Sequence, residues 1–449
     1  MKKKSTLLGA GVLAVAAGML TTPAFAAVTE ESQYIFNSLL FLIGGFLVMW
    51  MAAGFTMLEV GLVRTKNVGT MCVKNIGLYS IAGLMYFLVG YQLMYSGVSD
   101  GMGLMGTFSI WGADDAAARA GTEFNGYAST SDWFFQMVFV ATAASIVSGT
   151  LAERIKLFPF FAFVIVLTGF IYPIQGSWEW GGGWLNSDDF IAFTGSEFSD
   201  FAGSTLVHSA GGWAALAGAL ILGPRIGKYN EKGQPMAIPG SSLPMATLGT
   251  FILWLGWFGF NGASQLAMGS AADIADISNI FANTNAAAAG GVVAAVLVSK
   301  FMYKKIDLTM ALNGALAGLV SITAGPLDPT MGQAALIGAV GGIIVVFAVP
   351  FIDRLKIDDV VGAISVHLVA GIWGTMAVPL TSDGITFLAQ ATGVVSIGAF
   401  VLVASSIVWF ALKYTIGIRM SAEDEIAGGD YAELGMEAYP EFTKGSQIL

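Results

Sequence analysis

Eleven stretches of the chain run for about 20 residues with little or no charge, the length at which a helix rising 1.5 Å per residue crosses a hydrocarbon core of about 30 Å. They lie near 34–62, 75–97, 132–151, 157–175, 202–222, 243–262, 279–300, 309–325, 332–351, 360–379 and 390–416. The pattern predicts an all-α polytopic membrane protein with eleven transmembrane helices over residues 27–420, followed by a polar tail at 421–449. The first 26 residues read differently. Lys2, Lys3 and Lys4 precede an apolar run from Leu7 to Leu20, and Ala24-Phe25-Ala26 supplies a small-x-small cleavage pattern. This is the build of a secretory signal peptide cut after Ala26, which would leave the mature N-terminus outside the cytoplasm. An uncleaved first span is the alternative, but the run is short for one.

The polar positions between the spans test the count. Sixteen of the seventeen Lys and Arg beyond residue 26 fall after odd-numbered spans or in the tail; Arg119 alone lies on the other side. Basic residues collect on the cytoplasmic side of a membrane. An outside N-terminus, eleven spans and an inside C-terminus therefore agree, and a miscount by one would scatter the charges. The expected location is the cytoplasmic membrane. The opposite loops are acidic, with Asp100, Asp114, Asp115, Glu123, Asp132 and Glu179 among them. Such a face attracts cations modestly at low salt, or simply keeps the loops soluble.

Composition narrows the class. Hydrophobic residues make up 55% and charged residues 11% of the chain, against about 25% charged in soluble domains. The 58 glycines suit closely packed membrane helices. A net charge of −10 argues against nucleic acid as a partner. Cys72 is the only cysteine, which excludes an intrachain disulfide and a cysteine-based metal site.

The two histidines of the chain, His208 and His367, stand in a duplicated pattern. Asp200 precedes His208 by eight residues and Gly212 follows by four; Asp359, His367 and Gly371 repeat that spacing, with Trp213 and Trp373 nearby. One copy opens the fifth span and the other the tenth. The copies therefore enter from opposite faces, as in an inverted 5+5 repeat with one helix left over. Eight residues place each histidine about 12 Å below its aspartate, leaving about 6 Å between the two Cα levels across a core of about 30 Å. Two imidazoles could then share a hydrogen bond. Ionisable side chains in a bilayer normally face a partner or a cavity. A neutral imidazole both donates and accepts, so a pair would solvate a small neutral molecule without holding a hydrated ion. A metal site would need further ligands, and no HExxH or cysteine-rich motif is present.

The longer motifs resemble the ammonium transporter (Amt/Mep/Rh) family. They are Asp200-Phe-Ala-Gly-Ser-Thr-Leu-Val-His208, Gly256-Trp-Phe-Gly-Phe260-Asn-Gly-Ala-Ser264, Leu151-Ala-Glu-Arg-Ile155, Trp180-Gly-Gly-Gly183, Asp358-Asp359 to His367, and Gly435 to Pro440 in the tail. The resemblance covers essentially the whole mature chain. It implies a homotrimer with one pore per subunit, carrying ammonium captured outside. Trp180, Phe139 and Ser264 match the outer recruitment site, where a cation would lie against aromatic faces. Phe139, one turn after Phe135, and Phe260 match two stacked rings that gate the pore. His208 and His367 match the paired pore histidines. Asp200 matches a buried carboxylate that supports the outer site indirectly. Taken alone, Trp180 and Phe139 would be interface or packing residues, and Asp200 a helix cap; the cap and the support role are compatible.

Two departures stand out. Asn261-Gly-Ala-Ser264 reverses the two small residues of many members without moving the serine, and Ile364 stands where phenylalanine is frequent, which would alter the pore beside His367. Glu59 is an intramembrane carboxylate with no role beyond a buried hydrogen bond. The expected activity is transport rather than catalysis, with no cofactor. Rival readings are an ammonium sensor, which the lack of an output domain after residue 420 disfavours, and a membrane metalloenzyme. By the same resemblance the tail is expected to be a regulatory arm that binds a PII-type signalling protein; a solvated disordered segment is the alternative.

Overall fold

The computed structural model describes residues 28–440; the expected signal peptide and the last nine residues of the tail lie outside the described residues. Each apolar segment forms a helix: α1 Glu30–Leu62, α2 Thr65–Tyr95, α3 Ser129–Thr150, α4 Leu157–Ser177, α5 Ser204–Leu222, α6 Leu243–Gln265, α7 Ala271–Tyr303, α8 Leu308–Ile322, α9 Met331–Arg354, α10 Ile364–Leu380 and α11 Phe387–Thr415. Among the described residues there is no β-strand. Nine of these helices are long and apolar enough to cross a membrane, while α8 and α10 are shorter. The chain entering α10 from Asp358 is irregular but largely buried in protein, the setting in which a membrane protein tolerates non-helical backbone.

Helices α2 and α7 begin well before their expected starts because their first turns are polar. Lys74, expected in a loop, is a buried residue of α2, and its ammonium donates to the Ser148 carbonyl at 2.7 Å. Three acids expected in open loops also have partners. Asp132 lies buried in the first turn of α3. Asp115 accepts from the Ser129 amide and the Thr130 hydroxyl, and Glu179 from the Asp200 amide.

The first and sixth helices pack along one another, as do the parts of α5 and α10 that carry the histidines, the arrangement of an inverted repeat whose two-fold axis passes between these pairs. Glycine allows the first contact. A Cβ on Gly61 would sit 2.4 Å from the Ala246 amide nitrogen, and one on Gly249 2.3 Å from that of Leu58. At the second contact the duplicated motif acquires a physical meaning. The Asp200 carboxylate accepts from the amides of Gly203, Ser204, Thr205 and Leu206, and so caps α5. Asp359 accepts from Ala363 and Ile364 and caps α10. Each histidine sits in a wide π-turn, Ser204–Ser209 or Ile364–Val369. The glycines are reciprocal: a Cβ on Gly212 would lie 2.6 Å from the Leu368 Cβ, and one on Gly371 2.5 Å from the Ser209 hydroxyl. Each motif's glycine thus admits the residue that follows the other motif's histidine. A further shared glycine, three residues after each aspartate, takes positive φ: Gly203 at 104° and Gly362 at 83°.

The basic loops gather at one end of the bundle, which we call the Arg154 end. Glu153 accepts from the backbone amide and guanidinium of Arg64 and lies 3.4 Å from Arg225. Arg225 pairs with Asp358 at 2.9 Å, and despite burial that guanidinium holds the Asp358 carboxyl down to about 2. Buried Arg154 donates to the carbonyls of Thr150, Ala152, Gly223 and Asp358. The Leu151–Ile155 motif is thus the hub joining four loops. The tail returns to this hub. Buried Asp430 accepts from Gly69 and Thr70 at the start of α2, and Glu433 accepts from Leu157 at the start of α4. Glu425 pairs with Arg419 at 2.7 Å. Residues 421–440 are therefore docked, and the solvated-tail alternative does not describe them.

Two predictions follow from the reciprocal motif. Gly212→Val collides with the α10 backbone, so it should abolish recovery of folded protein from detergent, whereas Gly332→Ala, which meets open space, should leave the yield intact. Burial pushes Asp200 and Asp359 up to about 6, against the pull of their amide donors. With an unfolded value near 3.9, the stability each contributes is complete below about pH 4 and lost as the pH rises through about 6. Unfolding in detergent at pH 5 and pH 7 should therefore show wild type losing on the order of 1 kcal/mol more than Asp359→Asn over that interval.

Candidate functional site

At the end of the bundle opposite Arg154, a cavity of about 320 Å³ is lined by Phe41, Tyr91, Tyr95, Tyr127, Asp132, Phe135, Gln136, Phe139, Trp180, Phe201, Ser264 and Leu266. Trp180, Phe139, Ser264 and Phe135, nominated from three separate parts of the sequence, thus meet in one place. Their orientation follows from local bonding. The Trp180 indole N–H donates to the Asp200 carbonyl at 3.1 Å, which fixes the ring. Its edge contacts Phe139 at a centroid distance of 6.2 Å and an interplanar angle of 80°. The Ser264 hydroxyl donates to the Phe260 carbonyl at 2.8 Å, so its lone pairs remain to accept a hydrogen bond from the cavity. Asp200 is not among the lining residues. It acts one step removed, by capping α5 and by holding Trp180 through its carbonyl.

Beneath the cavity the rings form a column. Phe139 stacks on Phe260 at 4.0 Å and 22°, close enough to leave no room for water between them. Phe260 lies near-parallel to His208 at 5.3 Å, and His208 meets His367 edge to edge at 5.2 Å. Trp257 covers a face of His208 at 4.9 Å, its indole N–H being spent on the Thr323 hydroxyl at 2.8 Å. Both histidines are buried.

The His208 Nδ1 and His367 Nδ1 atoms are 3.2 Å apart. A hydrogen bond between two such nitrogens needs one donor and one acceptor, so the neutral rings hold opposite tautomers. The remaining nitrogens, the two Nε2 atoms, then offer one acceptor and one N–H donor. The pair can pass a small hydrogen-bonding molecule along in either arrangement. Beyond His367 lies a cavity of about 10 Å³, lined by Phe55, Leu58, Glu59, Ser145, Ile146, Gly149, Asn313, Leu316, Val361, Ala363, Val366 and His367. Asn313 and Val361 also border a wide mouth of about 560 Å³ at the Arg154 end. Ile364 lines neither cavity. It belongs to the apolar cluster that includes Leu206 and Leu368, so its difference from phenylalanine does not set the width beside His367.

Some site residues escaped sequence reasoning. Asp132 looked like one more acidic loop residue, yet it lines the large cavity and accepts from Tyr91 and Gln136. Tyr91 and Tyr95 come from α2, which no motif singled out. Glu179 stands beside Asp200, and burial together with that neighbour pushes its carboxyl well above the usual range. Its place directly before Trp180 was the available signal. Among the described residues, no three His, Cys, Asp or Glu side chains group so as to hold a metal ion.

Residues 39–439 match the model of the Ammonium Transporter Family. The chain is 42% identical to ammonium transporter Amt2 of Archaeoglobus fulgidus over 423 residues, covering 89% of this chain and 87% of that one. It is 38% identical to ammonium transporter Amt1 of Haloferax mediterranei, covering 90% and 80%. A solved structure named Sensor Amt Protein superposes with a TM-score of 0.82 at 36% identity, covering 90% of this chain and all of that one. Matches that run the length of the helical bundle leave one conclusion: the chain belongs to the ammonium transporter family.

Proposed function

We propose that this protein takes up ammonium from outside the cell and delivers it through an apolar pore across the cytoplasmic membrane. The Trp180 cavity faces outward and the Arg154 end faces the cytoplasm, an orientation supported by the basic loops gathered at that end. The observation that carries the reading is the continuous column from Trp180 through Phe139 and Phe260 to His208 and His367. In the cavity, ammonium lies against the faces of Trp180 and Phe139 and donates to Ser264. Sodium has no proton to donate there and would lose its tight hydration. Potassium matches ammonium in size, so discrimination depends on deprotonation. Leaving water lowers the pKa of an ammonium group, and only ammonium can enter the Phe139–Phe260 stack as a neutral molecule. The histidine pair then carries ammonia and relays the proton. Family membership further supports a homotrimer with a pore in each subunit. The docked acidic tail is proposed as the arm that meets a PII-type protein, and residues 1–26 as a cleaved signal peptide.

A sensory role with little net transport is the second reading, favoured by the likeness to the protein named as a sensor. Proteoliposomes separate the two. Wild type should take up labelled methylammonium and give an ammonium-evoked current; absence of both would favour the sensor. His208→Ala should abolish selective uptake. Trp180→Ala should raise the half-saturating concentration by about 2- to 30-fold, the value of one cation–π contact of about 0.5–2 kcal/mol. Unchanged selective uptake in both variants would sink the site assignment.

A further inference from the structure

Glu59 is buried in α1 and has no part in the column described above. Its carboxylate is bonded on one side only. Oε2 accepts from the Asn75 side-chain amide at 2.8 Å and from the Ser148 hydroxyl at 2.8 Å. Oε1 is buried with no hydrogen-bond partner. A bare buried oxygen costs about 1–3 kcal/mol or more, so Oε1 calls for a partner in the space it faces. Two neighbours fix where the bare oxygen stands. Glu59 and His367 line the same small cavity, and its volume of about 10 Å³ holds about one water. Gly149 borders that space; a Cβ there would sit 3.3 Å from Oε1 and 2.5 Å from the Val361 side chain, so glycine keeps the approach open. The charged and titratable groups around Glu59 are His367, which lines the same cavity, Lys74, whose ammonium interacts with the carboxylate electrostatically, and the Cys72 thiol, which also interacts with its charge.

From this geometry we infer that Glu59 is the proton acceptor on the cytoplasmic side of the histidine pair, taking from His367 the proton that ammonium gave up outside. The inference rests on the transport reading and extends it. In the step, an N–H bond of the imidazolium at His367 breaks, and an O–H bond forms at Glu59 Oε1, directly or through one water. Imidazolium and carboxylate become neutral imidazole and neutral carboxylic acid, so charge and protons balance. The acid then releases its proton past Asn313 and Val361 into the mouth, where ammonia accepts it. Lys74 supplies the compensating charge that lets Glu59 return to carboxylate in a buried site, while Asn75 and Ser148 hold Oε2 and leave Oε1 as the moving atom.

The test uses full-length protein in proteoliposomes and reads two quantities together: the charge moved by an ammonium current, and the labelled methylammonium taken up. Their ratio isolates the proton, since a merely structural Glu59 would change both in proportion. Glu59→Gln keeps the volume and a hydrogen-bond acceptor but no exchangeable acid. It should lower the charge-to-substrate ratio at least 10-fold while some uptake persists. Glu59→Asp draws the acid back by one methylene and should give an intermediate ratio. An unchanged ratio in Glu59→Gln overturns the inference whatever the rate. If that variant does not fold, a wild-type ratio in Glu59→Asp overturns it instead. A wild type with neither current nor uptake removes the transport reading and this one together. Normal wild-type transport that His208→Ala abolishes, with an unaltered ratio at Glu59, removes this one alone.

Discussion

The two imidazoles of His208 and His367 can meet at 3.2 Å only if the fifth and tenth helices come nearly into backbone contact. Most of the surrounding architecture serves that approach. Gly212 and Gly371 remove the side chains that would hold the helices apart. The carboxylates of Asp200 and Asp359 satisfy the amides freed where each helix begins part-way through the bundle. Each aspartate is in turn anchored: the Asp200 backbone to Glu179 and Trp180, and Asp359 to the Thr150 hydroxyl. One shared proton between two neutral rings therefore depends on contacts at both ends of the molecule.

The proposed pore combines apolar walls with a few groups that each keep one hydrogen-bonding function free. Ser264 spends its proton on the Phe260 carbonyl and keeps its lone pairs. Trp257 spends its N–H on Thr323 and presents only a face to His208. The histidines spend one nitrogen each on one another. Glu59 spends one oxygen on Asn75 and Ser148 and keeps the other. In each case a structural bond fixes the group and decides which atom is left unspent. A hydrated ion would need many such atoms at once, and the Phe139–Phe260 stack offers none.

At the Arg154 end the same economy joins charge to loop geometry. The adjacent residues Asp358 and Asp359 divide the work: one pairs with Arg225, the other caps α10. Arg154 draws the carbonyls of Thr150, Ala152, Gly223 and Asp358 together, and the tail closes over the result by supplying Asp430 and Glu433 to the starts of α2 and α4. The tail thus bonds to the first turns of two helices at this end.

How much of this was written in the linear chain follows from the range of the forces involved. Burial in a bilayer acts on every residue of a span, so the apolar runs and the one-sided basic loops were legible without any knowledge of packing. The equal spacing around His208 and His367 revealed the repeat, because helical rise converts sequence distance directly into depth. Nearby backbone chemistry was legible too, as the capping role of Asp200 shows. Side-chain partnerships were not. Asp132 and Lys74 read as loop charges, and Ile364 as a pore residue, because hydropathy averages over a window and does not say which face of a helix a residue occupies. The reciprocal glycines and the half-bonded Glu59 required helices distant in sequence to be set side by side. Only the folded bundle specifies which oxygen of a carboxylate is taken and which stands bare.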